Sequence, residues 1–188
     1  KKPRSPEEYK TTIHNTRDEV QQMSFLFTSL LLLARLNDTM KIKKQAVSLS
    51  NAVLSAIKYY DQAARARHLT FETDIQADEL RGDSELIGIV LRNLIGNAVK
   101  YAKAHTTVEI SSEAAGKKTR ITIRNTADKL DPSKLTHLFD QFYQGDIHQG
   151  NEGFGLGLAI ARQVVEAHGG HIEARSARQD VIEIILDI

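Results

Sequence analysis

Between Pro6 and Asn37 runs a stretch, Glu7 to Leu36, with neither a glycine nor a proline. Ile13, Val20, Phe27 and Ala34 recur at intervals of seven, and Thr16, Met23 and Leu30 fall three residues after the first three of them. Alternating four- and three-residue steps describe a helix that packs along a seam with partner helices. Thirty helical residues reach roughly 45 Å at ~1.5 Å per residue. Such a helix cannot bury its stripe alone, so the pattern calls for a bundle partner in another chain or in sequence outside these residues. The longest apolar run, Leu30 to Ala34, falls far short of the ~18 residues of a membrane span. The chain opens KKPRSPEEYK, without Met or an apolar signal core, and is expected to be a piece of a longer protein.

Charge and cysteine usage remove several functions at once. Lys and Arg number 25 against 24 Asp and Glu, a net charge of +1, so there is neither a polybasic nucleic-acid arm nor an acidic tail. With no cysteine in the chain, disulfides, thiol nucleophiles and thiolate metal sites are excluded. The 188 residues, 41% hydrophobic and 26% charged, suffice for one globular domain beside the long helix.

Asn37 and Asp38 break the heptad pattern, which divides the chain into residues 1–40, the helical part, and residues 41–188, the globular part. In the second part the patterning predicts a strand at Ala46–Ser50, a helix at Asn51–Arg67 and a strand at Leu69–Ile75. A loop containing Gly82 follows, then a helix capped by Asp83 or Ser84 and running to about Lys103. Strands at Thr106–Ser112 and Thr119–Asn125 flank the turn-prone AAGKK. A short helix is expected after Pro132, ending near Tyr143, and another from Leu158 to His168, stopped by Gly169-Gly170. Strands at His171–Ala177 and Val181–Ile188 complete an α/β two-layer sandwich with a mixed sheet.

Two segments carry chemistry. In RNLIGNAVKYA, Asn93, Asn97, Lys100 and Tyr101 share one side of the helix, while Ile87, Val90, Leu91, Leu94 and Ala98 face the sheet. A carboxamide oxygen is a hard neutral ligand suited to Mg²⁺, a lysine is a point charge for phosphate, and a tyrosine offers a flat face to an aromatic ring. A solvated helix face with i,i+4 hydrogen bonds is the competing reading. The second segment is glycine-rich: five of the 11 glycines fall between Gly145 and Gly157, and GFGLGLAIA runs into a helix. Backbone N–H groups at such a helix start form an anion site. The segment has neither the Gly-Lys-Ser/Thr of a Walker A loop nor the GxGxxG spacing of a dinucleotide fingerprint. A flexible surface loop is the alternative, against a phosphate-facing lid.

NLIGNAVKY, then LFDQFYQ, then GFGLGLAIARQVVEAHGG resembles, in order, the N box, F box and second glycine box of the ATP-binding catalytic domain of bacterial two-component sensor histidine kinases. FTSLLLLARLND resembles the end of the second helix of that family's dimerisation and histidine-phosphotransfer hairpin. The resemblance spans essentially the whole chain. It implies the Bergerat ATP-binding fold for residues 41–188, preceded by one hairpin helix in residues 1–40. It further implies ATP and Mg²⁺, with γ-phosphoryl transfer to a histidine on the other hairpin helix. In the full protein it implies a homodimer through the hairpin and passage of the phosphoryl to a response-regulator receiver domain. The chain would be the cytoplasmic portion of an inner-membrane sensor, itself not inserted in the membrane and without nucleic acid as a partner.

Carried over by position, the resemblance makes Asn97 the Mg²⁺ ligand, has Asn93 and Lys100 hold phosphates and sets Tyr101 beside the adenine. Asn125 and Leu130 would belong to the base pocket. Phe139 and Phe142 would anchor a lid from about Gln144 to Glu152. Gly153, Gly155 and Gly157 would admit phosphates to the backbone, with Phe154, Leu156 and Leu158 beside them.

This sequence also departs from the family. Asn125, Ala127 and Lys129 stand where the first glycine box has Asp, Gly and Gly. Gln141 and Gln144 stand where arginines are common near the F box, with Arg162 a candidate substitute. His14 lacks the H-box context and is read as a solvated or seam-edge residue rather than the phosphoacceptor. His168 and His171 are read as capping, solvent-exposed residues. The departures leave open a degenerate kinase-like nucleotide sensor, scaffold or phosphatase module, and a serine kinase of the same fold is a further alternative.

Overall fold

A computed structural model describes residues 5–37, 42–127, 132–144, 154–178 and 180–188. The chain begins with α1 (Pro6–Asn37), whose start is fixed by a capping box. The Ser5 N–H donates to Glu8 Oε2 at 2.6 Å, and the Glu8 N–H donates to Ser5 Oγ at 3.2 Å, satisfying two otherwise orphaned donors. Strand β1 (Gln45–Ser48) leads into α2 (Leu49–Ala66), then β2 (Thr70–Ile75), β3 (Glu79–Gly82) and α3 (Ser84–Tyr101). Strands β4 (Thr107–Ala115) and β5 (Lys118–Thr126) form a hairpin. They are followed by α4 (Pro132–Leu135), α5 (Gly157–Ala167), β6 (His171–Arg178) and β7 (Val181–Asp187).

The main sheet has the order β2-β4-β5-β7-β6. β2 runs parallel to β4 and the other neighbours are antiparallel, so the sheet is mixed, as the patterning predicted. Along β4 and β5, Val108, Ile110, Ile121 and Ile123 point into the core. The alternate residues make the opposite face an ion-pair lattice: Arg120 grips Asp187 at 2.8 and 2.9 Å, and Arg124 bridges Glu109 and Glu183. Helix α3 lies between α2 and α5 and presses Ile87, Val90, Leu91, Leu94 and Ala98 into the core, each no more than 2% exposed.

Several expectations are corrected. The segment before α3, read as a loop, contains β3, which pairs antiparallel with β1 and buries Leu80 and Gly82; four residues are too few to display a period. Helix α2 starts two residues earlier than expected, because Ser48 accepts from Asn51 N–H at 3.3 Å as its N-cap. The helix expected to end near Tyr143 stops at Leu135. Beyond it, Leu138 N–H bonds Leu135 O, Asp140 N–H bonds His137 O and Tyr143 N–H bonds Asp140 O. These i→i−3 turns replace helix, and Phe142 at φ +65° cannot be helical.

Helix α1 buries a different face from the heptad stripe. Leu33, 4% exposed, joins the core, with Leu26 and Leu36 packed against it, and the helix contacts α5. Ile13, Val20, Met23 and Phe27 remain 59–68% exposed.

Candidate functional site

The site is built around the polar face of α3. Asp83 caps the helix, its Oδ1 accepting from Glu85 N–H at 3.1 Å and Leu86 N–H at 3.2 Å. The other end is held by Arg67, whose guanidinium donates to the carbonyls of Val99, Lys100 and Ala102. A cation satisfying the last carbonyls of a helix both caps it and complements its dipole. Within this fixed rod Asn93 and Asn97 are half-buried, Lys100 is exposed and Tyr101 half-buried. Lys100 Nζ lies 5.2 Å from the Tyr101 ring centroid.

Behind the two asparagines the backbone of α3 is pinned by α2. A Cβ on Gly96 would stand 2.3 Å from the Tyr60 hydroxyl oxygen, so only glycine lets that ring lie against the helix. Burial, reinforced by Tyr59, pushes the Tyr60 phenol above its usual range.

The glycine segment meets α3 at the first residue of α5. A Cβ on Gly157 would lie 3.0 Å from Asn93 Oδ1, which brings the carboxamide face of α3 to the N-terminus of α5. Leu156, at the N-cap, makes no side-chain cap bond and is 1% exposed; the N-cap residue therefore leaves the first amides of α5 uncapped, a helix start suited to an anion. Leu158 and Phe154 are half-buried against the core.

The turn after α4 is tied to this segment through the backbone. Phe142 N–H donates to Gly155 O at 3.0 Å. Gly155 has φ +67°, and a Cβ there would meet Tyr143 O at 2.6 Å. Of the two expected anchors, Phe139 is buried and lies 5.9 Å beneath the Arg162 guanidinium, whereas the Phe142 ring is 56% exposed. Phe142 contributes its amide rather than its ring. Arg162 also pairs with Glu166 at 3.1 Å.

Asn125 is 6% exposed on the core side of β5, and its Nδ2 has no hydrogen-bond partner among the described residues. The end of β5 is stitched to the end of α3: Ala127 bridges Ala102, and Lys103 N–H donates to Thr126 O at 2.8 Å. Asn93, Asn97, Lys100, Tyr101, Asn125, Phe154, Gly155, Leu156, Gly157 and Leu158 are thus borne by three connected pieces: α3, the end of β5 and the start of α5. Lys129, Leu130, Gly153 and all of the expected lid except Gln144 lie outside the described residues. Gln141 and Gln144 are exposed, and His14 is exposed on α1.

His168 corrects an expectation. It caps α5 but is 7% exposed rather than solvated; Nδ1 bonds Val164 O at 2.8 Å and Nε2 accepts from Asp83 N–H at 3.0 Å. It is a structural link between the end of α5 and the start of α3 that no spacing in the sequence announces. His171 is exposed, as expected. Among the described residues no group of three or more His, Cys, Asp or Glu could hold a metal, and no helix is long and apolar enough to cross a membrane.

A family model described as histidine kinase-, DNA gyrase B- and HSP90-like ATPase matches residues 82–188. The probable sensor protein PcoS of Escherichia coli is 27% identical over 184 residues, covering 96% of this chain and 39% of PcoS. The sensor protein IrlS of Burkholderia pseudomallei is 31% identical over 174 residues, covering 90% of this chain and 37% of IrlS. The chain therefore spans well under half the length of these curated relatives. Among solved structures, the Acinetobacter baumannii histidine kinase AdeS superposes with TM-score 0.80 at 22% identity, covering 100% of this chain and 86% of AdeS. Full-length ShkA in complex with AMPPNP superposes with TM-score 0.83 at 21% identity, covering 100% of this chain and 39% of ShkA. These superpositions establish a shared fold.

Proposed function

Because the chain belongs to the histidine kinase-, DNA gyrase B- and HSP90-like ATPase family, we propose that it is the ATP-binding catalytic region of a sensor histidine kinase. In this reading residues 41–188 bind ATP and residues 1–40 contribute the second helix of the dimerisation and phosphotransfer hairpin. The γ-phosphoryl passes to a histidine on the other hairpin helix, then to a response-regulator receiver domain. The observation that supports this most is the approach of Asn93 Oδ1 to Gly157, which joins a carboxamide face to an uncapped helix start. Neutral oxygen donors and backbone amides side by side suit a ligand that brings both its own negative charge and its own cation.

Asn97 would contribute a carboxamide oxygen to Mg²⁺, and the absence of an acidic cluster among the described residues fits a metal held largely by phosphate and water. When bound, Mg²⁺ would supply charge neutralisation at the phosphates. Asn93, Lys100 and the first amides of α5 would hold phosphate oxygens, and Tyr101, Asn125 and the Leu130 region would take the base. Gly153 and Gly155 would admit phosphates to the backbone, and the Phe142–Gly155 backbone bond would hold Gly155 in place. Arg162 is engaged with Glu166 and Phe139 and would have to leave both to serve the γ-phosphate.

The exposed stripe of α1, Ile13 to Leu30, would pair with the other hairpin helix and its dimer mate. The parent protein would sit in the inner membrane with this region in the cytoplasm. The test is phosphotransfer: γ-labelled Mg·ATP is incubated with this chain and the parent's hairpin bearing its acceptor histidine. Acid-labile, base-stable label on the hairpin is expected; nucleotide binding with no label transferred would overturn the kinase assignment.

A further inference from the structure

The buried carboxamide of Asn125, 6% exposed, stands out for the surroundings of its Nδ2. Its strand neighbours on the core side, Ile121 and Ile123, and its register partners Val108 and Ile182 are aliphatic. None of them accepts a hydrogen bond through its side chain, and Nδ2 is left without a partner among the described residues. A buried donor without an acceptor is costly, so the position is explained if a bound molecule supplies the acceptor. The junction of Ala127 with Ala102, and of Thr126 with Lys103, puts this donor at the end of α3 that carries Tyr101. This is the base end of the nucleotide site proposed above, and the role assigned to Asn125 rests on that reading.

A carboxamide differs from a carboxylate in being both donor and acceptor, and it exchanges the two by turning over about its terminal torsion. Adenine presents an N6–H donor beside the N1 acceptor; guanine presents an N1–H donor beside the O6 acceptor. The two edges are related by exchange of donor and acceptor, which is the exchange an Asn makes when it flips. An acidic residue would only accept and would face guanine O6 with like polarity. We infer that Asn125 makes the base pocket purine-tolerant, so that the site takes guanosine and inosine triphosphates alongside ATP.

The test is equilibrium binding of Mg·ATP, Mg·GTP and Mg·ITP to the intact chain by calorimetry, with no dependence on turnover. ITP carries guanine's O6 and N1–H without the 2-amino group, so it separates edge matching from steric fit. GTP or ITP is expected within about tenfold of ATP, roughly the worth of one neutral hydrogen bond. In Asn125→Asp, checked for an unchanged melting transition, GTP and ITP are expected to weaken at least about tenfold more than ATP. If that variant melts early, the three wild-type affinities decide alone. ATP binding with both GTP and ITP more than about a hundredfold weaker would overturn the inference and leave the ATP site standing. So would a folded Asp variant in which the ratios do not move. Failure of all three nucleotides to bind would remove the nucleotide-site reading itself, and this inference with it.

Discussion

Replacing Gly155 with alanine separates the integrity of the fold from the integrity of the site. The residue has φ +67°, and its Cβ would lie 2.6 Å from Tyr143 O, 2.7 Å from the Phe142 carbonyl carbon and 2.9 Å from Tyr143 N. A left-handed conformation costs a non-glycine residue about 1–2 kcal/mol, and forcing atoms into filled space adds about 1–3 kcal/mol. Those neighbours are backbone, so they cannot rotate away. The strain has a cheaper outlet than unfolding: the turn holding Phe142 can part from the segment holding Gly155. That parting loses the 3.0 Å bond from Phe142 N–H to Gly155 O, worth about 1 kcal/mol. The expected result is a melting temperature lowered by about 2–4 °C, the shift for roughly 1 kcal/mol in a domain this size. Nucleotide affinity falls at least about tenfold, because the glycine segment no longer has a fixed anchorage beside α5. Scanning fluorimetry and calorimetry on the same preparation measure both. Affinity within twofold of the parent at an unchanged melting temperature would refute the reasoning, since neither the clash nor the coupling would then be real.

Other perturbations have outcomes set by single observations. Leu91→Ala empties a fully buried position between α3 and the sheet and should cost about 2–5 kcal/mol in urea denaturation. Asp83→Ala removes the acceptor for two α3 amides and should cost about 1 kcal/mol, lowering the melting temperature without abolishing nucleotide binding. The hydrogen bond from Arg120 holds the Asp187 carboxyl below its ordinary range, opposed in part by desolvation. A depressed native value means its stabilisation is complete above the unfolded carboxylate range and is lost as pH falls through the lowered native value. Acid titrations of stability should accordingly show a shallower loss in Asp187→Asn than in the parent.

The α3 helix is legible in the sequence because its apolar residues follow a helical period and Asp83 precedes them as a cap; every residue assigned to its buried side is buried. The mixed sheet follows from the order of helices and strands along the chain, which sets α3 between the parallel pair β2 and β4 and joins β4 to β5 by a short turn. What escapes is short or three-dimensional. β3 has too few residues to show alternation, and it exists because β1 is there to pair with it. The turns beyond Leu135 read as helix because their composition is helical; the positive φ at Phe142 accompanies the bond to Gly155, which lies further along the chain within the glycine-rich segment. His168 has the pattern of an ordinary residue at a helix stop, and only the arrival of Asp83 N–H from a distant part of the chain explains its burial. The heptad stripe of α1 describes a surface suited to other helices, while the helix joins the core through Leu33 on another face.

A Mg·nucleotide site between the carboxamide face of α3 and the start of α5 is tested most directly by titrating Mg·ATP into this chain beside Asn97→Asp. That change keeps the size of the side chain and places a carboxylate where phosphates would approach. Micromolar binding to the parent and a loss of at least about tenfold in the variant are expected. Absence of binding to the parent, or equal binding to both, would contradict the site.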